Sequence, residues 1–387
     1  MIPRMTTVGT LKNYRYDLNR SNNTLGKAMS AVTTRRLFNS YAEDPALATR
    51  CFQIRHSYWR AESQLNVNES LRHKYDVAWS ALENISSDLY SQADDTSVSS
   101  IIRSASDSTG PGRVALGQSL TAKAKDIAQT MNGRYGENYV FAGADTLNAP
   151  FTWGPQVNPV YQEGGTMGKY LKPDGTETNV ESEAAQGLYY RGVAVDSSNP
   201  PDVEKMEYFL NTERKDIDVG LGHKEVNGEV VSSTVFDSSL QGVYYLGGYG
   251  TQTVELEDGT KVENIPTNVI SIVNELGQIL QRCDPDTGNW QSGDKLRFDA
   301  LSKAFEDSTS SFRERWTEMD TQSGFLRDNS ELLEDTTDSL KQQYMELEDV
   351  DPAAAISDFM FARYCYDAAL KVGNSILSQS LMDYINL

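Results

Sequence analysis

The chain has 387 residues, with 35 Lys and Arg against 55 Asp and Glu, so its formal net charge is −20. This acidity argues against a nucleic-acid partner, because phosphate binding needs a positive surface. No apolar run is long enough to insert into a membrane, and the polar residues after Met1 do not resemble a cleavable secretion signal. Three widely spaced Cys make a disulfide framework unexpected.

Composition divides the chain into three parts. Residues 146–266 hold 15 of the 28 Gly and seven of the 12 Pro, whereas both outer thirds are poor in these residues and rich in helix formers. We therefore predict a mostly α protein with a β-rich insert. The N- and C-terminal segments would form a long antiparallel helical bundle or coiled coil, and the insert an outer β-rich domain.

In the N-terminal third, apolar residues recur every seven positions, which is typical of one side of a coiled-coil helix. The first such row is Leu11, Leu18, Leu25 and Val32. After Pro45 the same period predicts a longer helix, with the row Leu47, Ile54, Ala61, Asn68, Tyr75, Leu82 and Leu89. Asn68 interrupts this row and either fixes the register or faces solvent. We expect a loop over 94–112, followed by a helix that ends near Met131.

Strands are predicted inside the insert by alternation of apolar and polar residues at 187–193 and 252–257. Asp258-Gly259, between Leu256 and Val262, predicts a β-hairpin. Beyond the insert we expect a short helix and then a long one, whose leucines recur at Leu326, Leu333, Leu340 and Leu347.

The final helix should begin at Asp351-Pro352, an N-cap followed by Pro at the first helical position. Its apolar residues are Ile356, Phe359, Tyr366, Leu370, Leu377 and Leu381. The two ends of the chain carry opposite charge, with a net of +7 over residues 1–60 and −8 over 331–387. This favours pairing of the ends, although two independently solvated helices remain an alternative.

A terminal helix with one narrow apolar row gains too little from burial to be ordered alone, because isolated helices are marginal in water. We therefore expect both terminal arms to order against partners and predict that their apolar rows are assembly contacts. The alternative is a monomeric bundle whose ends pack internally.

The sequence contains no recognisable catalytic, phosphate-binding or metal-binding motif, and we expect no enzyme activity, cofactor or metal. His56 and His73 are too far apart on one helix to share a metal ion. In the insert, the pairs Tyr189-Tyr190 and Tyr244-Tyr245 predict either an aromatic ligand surface or ordinary strand packing.

Three short stretches resemble the flagellin-like axial proteins of bacteria, and among them the hook–filament junction family, also called hook-associated protein 3. They are Glu43-Asp44-Pro45-Ala46, Asn138-Tyr139-Val140-Phe141-Ala142-Gly143 and Ser380-Leu381-Met382-Asp383-Tyr384-Ile385. One departure is Thr34, which stands where the family commonly has Gly before a basic pair. A β-branched residue disfavours positive φ, so the turn after the first arm is expected to differ.

The resemblance implies three domains: an inner coiled-coil domain (1–42 and 350–387), a helical rod (43–145 and 267–349) and an outer domain (146–266). It implies an extracellular structural subunit that forms a ring of about ten or eleven copies. The ring would contact a hook-associated protein on one side and flagellin on the other. Export would use the flagellar type III system, with a chaperone on the C-terminal arm. A flagellin, or a secreted binding protein or enzyme with its site in the insert, are the alternatives.

Overall fold

The computed structural model describes residues 7–38, 42–91, 96–107, 112–159 and 169–385, and within 376–385 it describes the backbone alone. The chain splits into two compact units, Met1–Ser63 with Leu332–Leu387 and Gln64–Glu331. The three-domain division implied by the resemblance stays a prediction.

The described chain is mostly helical, with small antiparallel sheets between helical segments. The helices are α1 (Thr7–Thr34), α2 (Pro45–Tyr90), α3 (Val98–Asp107), α4 (Gly112–Met131), α5 (Pro200–Glu207), α6 (Gly242–Tyr245), α7 (Val269–Gln281), α8 (Asp294–Glu348) and α9 (Pro352–Ile385). Tyr208–Thr212 continues α5 as a π-helical turn, and 3₁₀ turns lie at Glu181–Glu183 and Ser232–Thr234.

The strands are short and pair mostly with a near neighbour in the sequence. They are β1 (Arg134–Tyr135), β2 (Asn138–Tyr139), β3 (Phe151–Pro155), β4 (Tyr170–Leu171), β5 (Glu177–Thr178), β6 (Gln186–Tyr190), β7 (Val193–Ala194), β8 (Asp216–Ile217), β9 (Glu225–Val226), β10 (Glu229–Val230), β11 (Phe236–Asp237), β12 (Thr251–Glu255) and β13 (Lys261–Pro266). The largest described sheet has the order β3-β6-β7, and the others are two-stranded.

The predicted long helices are confirmed. Helix α2 starts at Pro45 because the Asp44 side chain accepts a hydrogen bond from the backbone N–H of Leu47 at 2.9 Å, which caps the first turn. Helix α8 runs antiparallel to α2 in both units: the rings of Tyr58 and Tyr344 lie 6.1 Å apart in the first unit, and those of Trp79 and Trp316 lie 5.6 Å apart in the second.

Asn68 does not face solvent but is fully buried between α2 and α8. Its amide nitrogen donates to the Leu326 carbonyl at 2.7 Å, and its oxygen accepts from the Asn329 amide at 3.1 Å. The Asn329 amide also donates to the Val219 carbonyl at 2.8 Å, in the segment after β8. A polar residue that is buried in an apolar contact between helices, and that finds its hydrogen-bond partners in one alignment only, specifies the register. This agrees with the first of the two predicted alternatives for Asn68.

In the second unit, α4 and α7 cross at two glycines. A Cβ on Gly117 would lie 2.7 Å from the Gly277 carbonyl oxygen, and a Cβ on Gly277 would lie 2.8 Å from that of Gly117. Either side chain would meet backbone, so the crossing depends on both glycines.

The insert contains the predicted hairpin, because β12 and β13 pair antiparallel around Asp258-Gly259, with Gly259 at a φ of 82°. The predicted strand at 187–193 is two strands, β6 and β7, since Arg191 and Gly192 both have positive φ and turn the chain between them. Tyr190 and Tyr245 are core residues, and burial raises the pKa of both phenols. Tyr189-Tyr190 lie in β6 and Tyr244-Tyr245 lie in α6, so strand packing describes the first pair only, and Tyr189 and Tyr244 are half-buried.

One expectation was wrong. The interval 94–112, expected to be a loop, contains α3, because Val98, Ile101, Ile102 and Ala105 lie on one side of a helix and are buried. The positive φ after the first arm falls on Arg35 (58°) and not on Thr34, which ends α1. The β-branched residue therefore keeps a helical conformation while its neighbour makes the turn.

Candidate assembly interface

Helices α1 and α9 pack side by side in opposite directions within the first unit. Tyr14, near the start of α1, lies so close to Gly373, near the end of α9, that a Cβ on the glycine would overlap the tyrosine ring. Arg36, just after α1, forms an antiparallel bridge with Asp349, just before α9. These two contacts fix the register of α1 against α9 and confirm that the ends of the chain pair. The pairing is within one chain, as in the alternative of ends that pack internally, so the expectation that the arms order only against partners stays a prediction.

On α1, the predicted row is the less exposed side of the helix. Leu11, Leu18, Leu25 and Val32 are all half-buried, as is Tyr14. Residues seven apart lie on the same side of a helix, so this row shares the side that Tyr14 presents to α9.

On α9, the side packed against α1 is formed largely by small residues. Ala355, Ala362 and Gly373 are buried, and Phe359 and Tyr366 are half-buried between them. Spacings of three and four residues place these five positions on one side of the helix. Small side chains here allow the two helix backbones to approach closely.

The other predicted apolar residues of α9 differ in position. Leu370 follows Tyr366 by four residues and precedes Gly373 by three, so it shares their side of the helix, and it is 43% exposed. Ile356 is 50% exposed and belongs to a set that we call the α9 apolar face: Ile356, Met360, Phe361, Tyr364 and Val372. Its central members are the most exposed, with Met360 at 67%, Phe361 at 70% and Tyr364 at 73%. At 100° per residue these three point away from the α1 side, so α9 carries apolar residues on both sides.

The remaining predicted contact residues cannot be placed beyond their backbone. Leu377 and Leu381, and the family-motif residues Asp383 and Tyr384, lie in the part of α9 whose side chains are outside the described residues.

A buried carboxylate joins the connection between α1 and α2 to the end of α8. Glu348 is 4% exposed, and it forms ion pairs with Arg36, at 3.1 Å, and with Arg55. Its carbonyl accepts from Leu37 N–H at 2.8 Å. The thiol of Cys51 donates to the same carboxylate at 3.7 Å, and burial is the main cause that raises the pKa of this thiol. Sequence reasoning missed this Glu348 junction, because Glu348 is one acidic residue among many in α8.

The other family-motif residues have structural roles in the second unit. The Tyr139 ring packs under the Arg134 guanidinium, whose carbon lies 4.2 Å from the ring centroid. Phe141 is fully buried, and Gly143 has a φ of 69°, which a side chain would strain. Asp44 and Pro45 lie in the first unit, where they cap and start α2 as described above.

Charge in the first unit is unevenly distributed. Helix α1 carries Lys12, Arg15, Arg20 and Lys27 against the single acid Asp17. The part of α8 in this unit carries Glu334, Asp335, Asp338, Glu346 and Glu348 against the single base Lys341. One copy therefore offers a basic helix and an acidic helix to its surroundings.

Among the residues that the structure describes, no helix is long and apolar enough to cross a membrane, and no group of three or more His, Cys, Asp or Glu is placed to hold a metal ion. The described contacts of the first unit are those of packed helices and of the Glu348 junction.

Likeness to known proteins is limited. No family model matches the sequence, and no curated protein matches it. Among solved structures, the chain is similar to one from Vibrio parahaemolyticus that is provisionally described as a flagellar hook-associated protein. The identity is 13%, the TM-score is 0.48, and the match covers 79% of this chain and 100% of that chain. It is also similar to FlgL from Bacillus cereus, with 13% identity, a TM-score of 0.39, and coverage of 76% and 99%.

Proposed function

We propose that this chain is a non-catalytic structural subunit of the bacterial flagellum, and that copies of it form the junction ring between the hook and the flagellin filament. The observation that carries the proposal is the α9 apolar face, which the single chain leaves exposed. Burying the exposed parts of Ile356, Met360, Phe361 and Tyr364 against other helices would stabilise an assembly by up to about 8 kcal/mol. Exposed apolar surface of this kind marks an association site.

The charge pattern of the first unit supports contact between copies. The acidic end of α8 complements the basic α1 of a neighbouring copy, and contact between two different surfaces closes into a ring when the rotation between copies allows it. The ring would hold about ten or eleven subunits.

The choice of the junction within the flagellum rests on sequence. The stretches around Asp44-Pro45 and Tyr139–Gly143, and the ending around Asp383-Tyr384, follow the order of the junction family. On this proposal one face of the ring contacts a hook-associated protein and the other contacts flagellin. The subunit would leave the cell unfolded through the flagellar type III system, without signal cleavage, with a chaperone on its C-terminal arm.

The same apolar face would serve a flagellin, which is the second candidate. The number of copies separates the two, because a ring needs about ten copies per flagellum and a filament needs thousands. Electron microscopy of cells that lack this protein tests both candidates together, because loss of a junction subunit and loss of a flagellin both leave hooks without filaments. If the chain is a junction subunit, these cells still make a separate flagellin and release it into the medium. Intact filaments would refute both candidates.

The contact surface is tested by the double substitution Met360→Lys with Tyr364→Lys, expressed in cells that lack the native chain. Two charges on the α9 apolar face cannot be buried without partners, so we expect the protein to be exported without incorporation into flagella. The matched control is Met360→Leu with Tyr364→Phe, which keeps the apolar area and should restore filaments. Normal flagella with the lysine variant would refute this surface as the assembly contact.

A further inference from the structure

A second exposed surface of the first unit is aromatic. Phe52 and Trp59 on α2 are 66% and 56% exposed. They are seven residues apart, so they lie on the same side of the helix, and His56 is exposed between them. The rings of Phe52 and His56 lie 6.4 Å apart. We call these three residues the α2 aromatic face.

This face points away from the contact between α2 and α8 of the same chain. The residues just before its two large rings make that contact, since the thiol of Cys51 donates to Glu348 and the ring of Tyr58 packs near that of Tyr344. Successive residues of a helix are turned by 100°, so the next residue along the chain points elsewhere. The α2 aromatic face is therefore left exposed in the single chain, as surfaces that associate with another chain commonly are.

One side of α8 in the first unit carries an exposed methionine beside acidic residues. Met345 is 41% exposed. Asp338 and Glu334 precede it by seven and eleven residues, and both are exposed. At 100° per residue these three residues lie on one side of the helix, which we call the α8 acidic side.

The α2 aromatic face and the α8 acidic side lie at the same height along the two antiparallel helices. Within one chain, Tyr58 of α2 packs against Tyr344 of α8. Met345 follows Tyr344 directly, and His56 lies two residues before Tyr58. At a rise of 1.5 Å per residue, Met345 is within about one helical turn of His56 in height. It therefore lies level with the middle of the α2 aromatic face.

The two surfaces are also complementary in charge. Between Asp44 and Glu62, α2 contains three arginines and His56 but no acidic residue. One of these arginines, Arg60, is exposed directly after Trp59. The α2 aromatic face therefore suits a partner that brings carboxylates beside an apolar side chain, as the α8 acidic side does.

We propose that the α2 aromatic face of one copy contacts the α8 acidic side of the next copy, with both helices running along the ring axis. This inference rests on the proposed function and adds a contact beside that between α1 and the end of α8. Copies in a ring are related by rotation alone, so surfaces at the same height meet. Met345 of the next copy packs between Phe52 and Trp59, because methionine sulfur attracts aromatic rings. Asp338 of that copy forms an ion pair with Arg60.

The test is disulfide cross-linking in flagella isolated from cells that express a variant in place of the native chain. The variant carries His56→Cys and Met345→Cys, with the exposed Cys365→Ser, while Cys51 and Cys283 are buried. We expect oxidation with copper phenanthroline to yield a ladder of linked copies, because each copy bonds to a different copy on either side. Matched controls carry only one of the two new cysteines and should yield no linked copies.

A double-cysteine variant that is present in flagella but yields no ladder would overturn this contact and leave the proposed function standing. Linked dimers from a single-cysteine control would show that like surfaces meet, and would also overturn the contact. Absence of the native chain from flagella would overturn the contact and the proposed function together.

A charge exchange decides the question if the cysteines prevent incorporation. Arg60→Glu sets two acidic residues against each other and should lower the fraction of cells with filaments about threefold. Adding Asp338→Lys should restore that fraction. The control Arg50→Glu, which points away from the α2 aromatic face, should leave the fraction unchanged. No loss with Arg60→Glu, or no recovery in the double variant, would overturn the contact.

Discussion

The buried pair Asn68–Asn329 makes an asymmetric prediction about stability. Asn329 donates to both Asn68 Oδ1 and the Val219 carbonyl, so Asn329→Leu leaves two buried acceptors without a donor. Asn68→Leu removes one donor to the Leu326 carbonyl, and Asn329 still donates to Val219. The two substitutions have the same chemistry but leave different numbers of unsatisfied groups.

An unsatisfied buried acceptor costs about 1–3 kcal/mol. We therefore expect Asn329→Leu to lower the free energy of unfolding by about 2–6 kcal/mol. Asn68→Leu should lower it by only about 1 kcal/mol, because the Leu326 carbonyl lies inside α8 and keeps its hydrogen bond within the helix. Leucine is the better helix former, and this offsets both losses by about 0.5 kcal/mol. In the double variant the losses should not add, because the two side chains are in direct contact.

The measurement is urea unfolding followed by tryptophan fluorescence, since Trp79 and Trp316 pack against each other in the same unit. Asp328→Leu is the matched control, because its side chain is 75% exposed and the change should stay within about 0.5 kcal/mol. If Asn68→Leu proved less stable than Asn329→Leu, the argument that the loss follows the number of buried acceptors left without a donor would be refuted. Equal stability of all variants would refute the role of the pair in fixing the register.

Two further predictions concern the second unit. Gly277→Ala should lower the free energy of unfolding by about 1–3 kcal/mol, because the new Cβ meets the Gly117 backbone. In the control Gly324→Ala, on α8, the new Cβ meets nothing within 4 Å, so this change should raise the free energy of unfolding by about 0.5–1 kcal/mol. Thermal unfolding of both variants checks the opposite signs. Burial raises the pKa of Asp196 from 3.8 to about 7, with Glu275 adding to the shift and Arg297 opposing it. The folded state then holds a proton that the unfolded state has lost, so stability should fall as the pH rises from about 4 to about 7, and Asp196→Asn should remove that fall in urea unfolding across this range.

The regular helices were predictable because their cores repeat. Leu82 and Leu89 on α2 and Leu326 on α8 are fully buried, as the seven-residue period requires. The hairpin at Asp258-Gly259 was equally clear, because this dipeptide is a frequent turn signal and Gly259 takes the positive φ of 82° without strain. These elements could therefore be predicted from the local sequence alone, without knowledge of any long-range contact.

The side of α9 that meets α1 was harder to predict. Apolar size correctly drew attention to Phe359 and Tyr366, but it also drew attention to Ile356, which is half exposed, and it missed Ala355 and Ala362. The search for a seven-residue period relies on large apolar residues, whereas two closely packed helices favour small residues at their contact. The Glu348 junction was hidden for a related reason: one carboxylate in an acidic helix is singled out only when two arginines from distant positions reach it.

The two sides of α9 together argue for association. A helix that packs only within its own chain is expected to turn its large apolar residues inward and its polar residues outward. Here the inward side is rich in alanine and glycine, while methionine, phenylalanine and tyrosine face outward from positions 360, 361 and 364. Each of these outward side chains gains little hydrophobic stabilisation in the isolated chain, because it stays exposed to water. It gains more when another helix covers it. The same distribution explains how one helix can hold α1 closely within the chain and still offer a second surface to a neighbour.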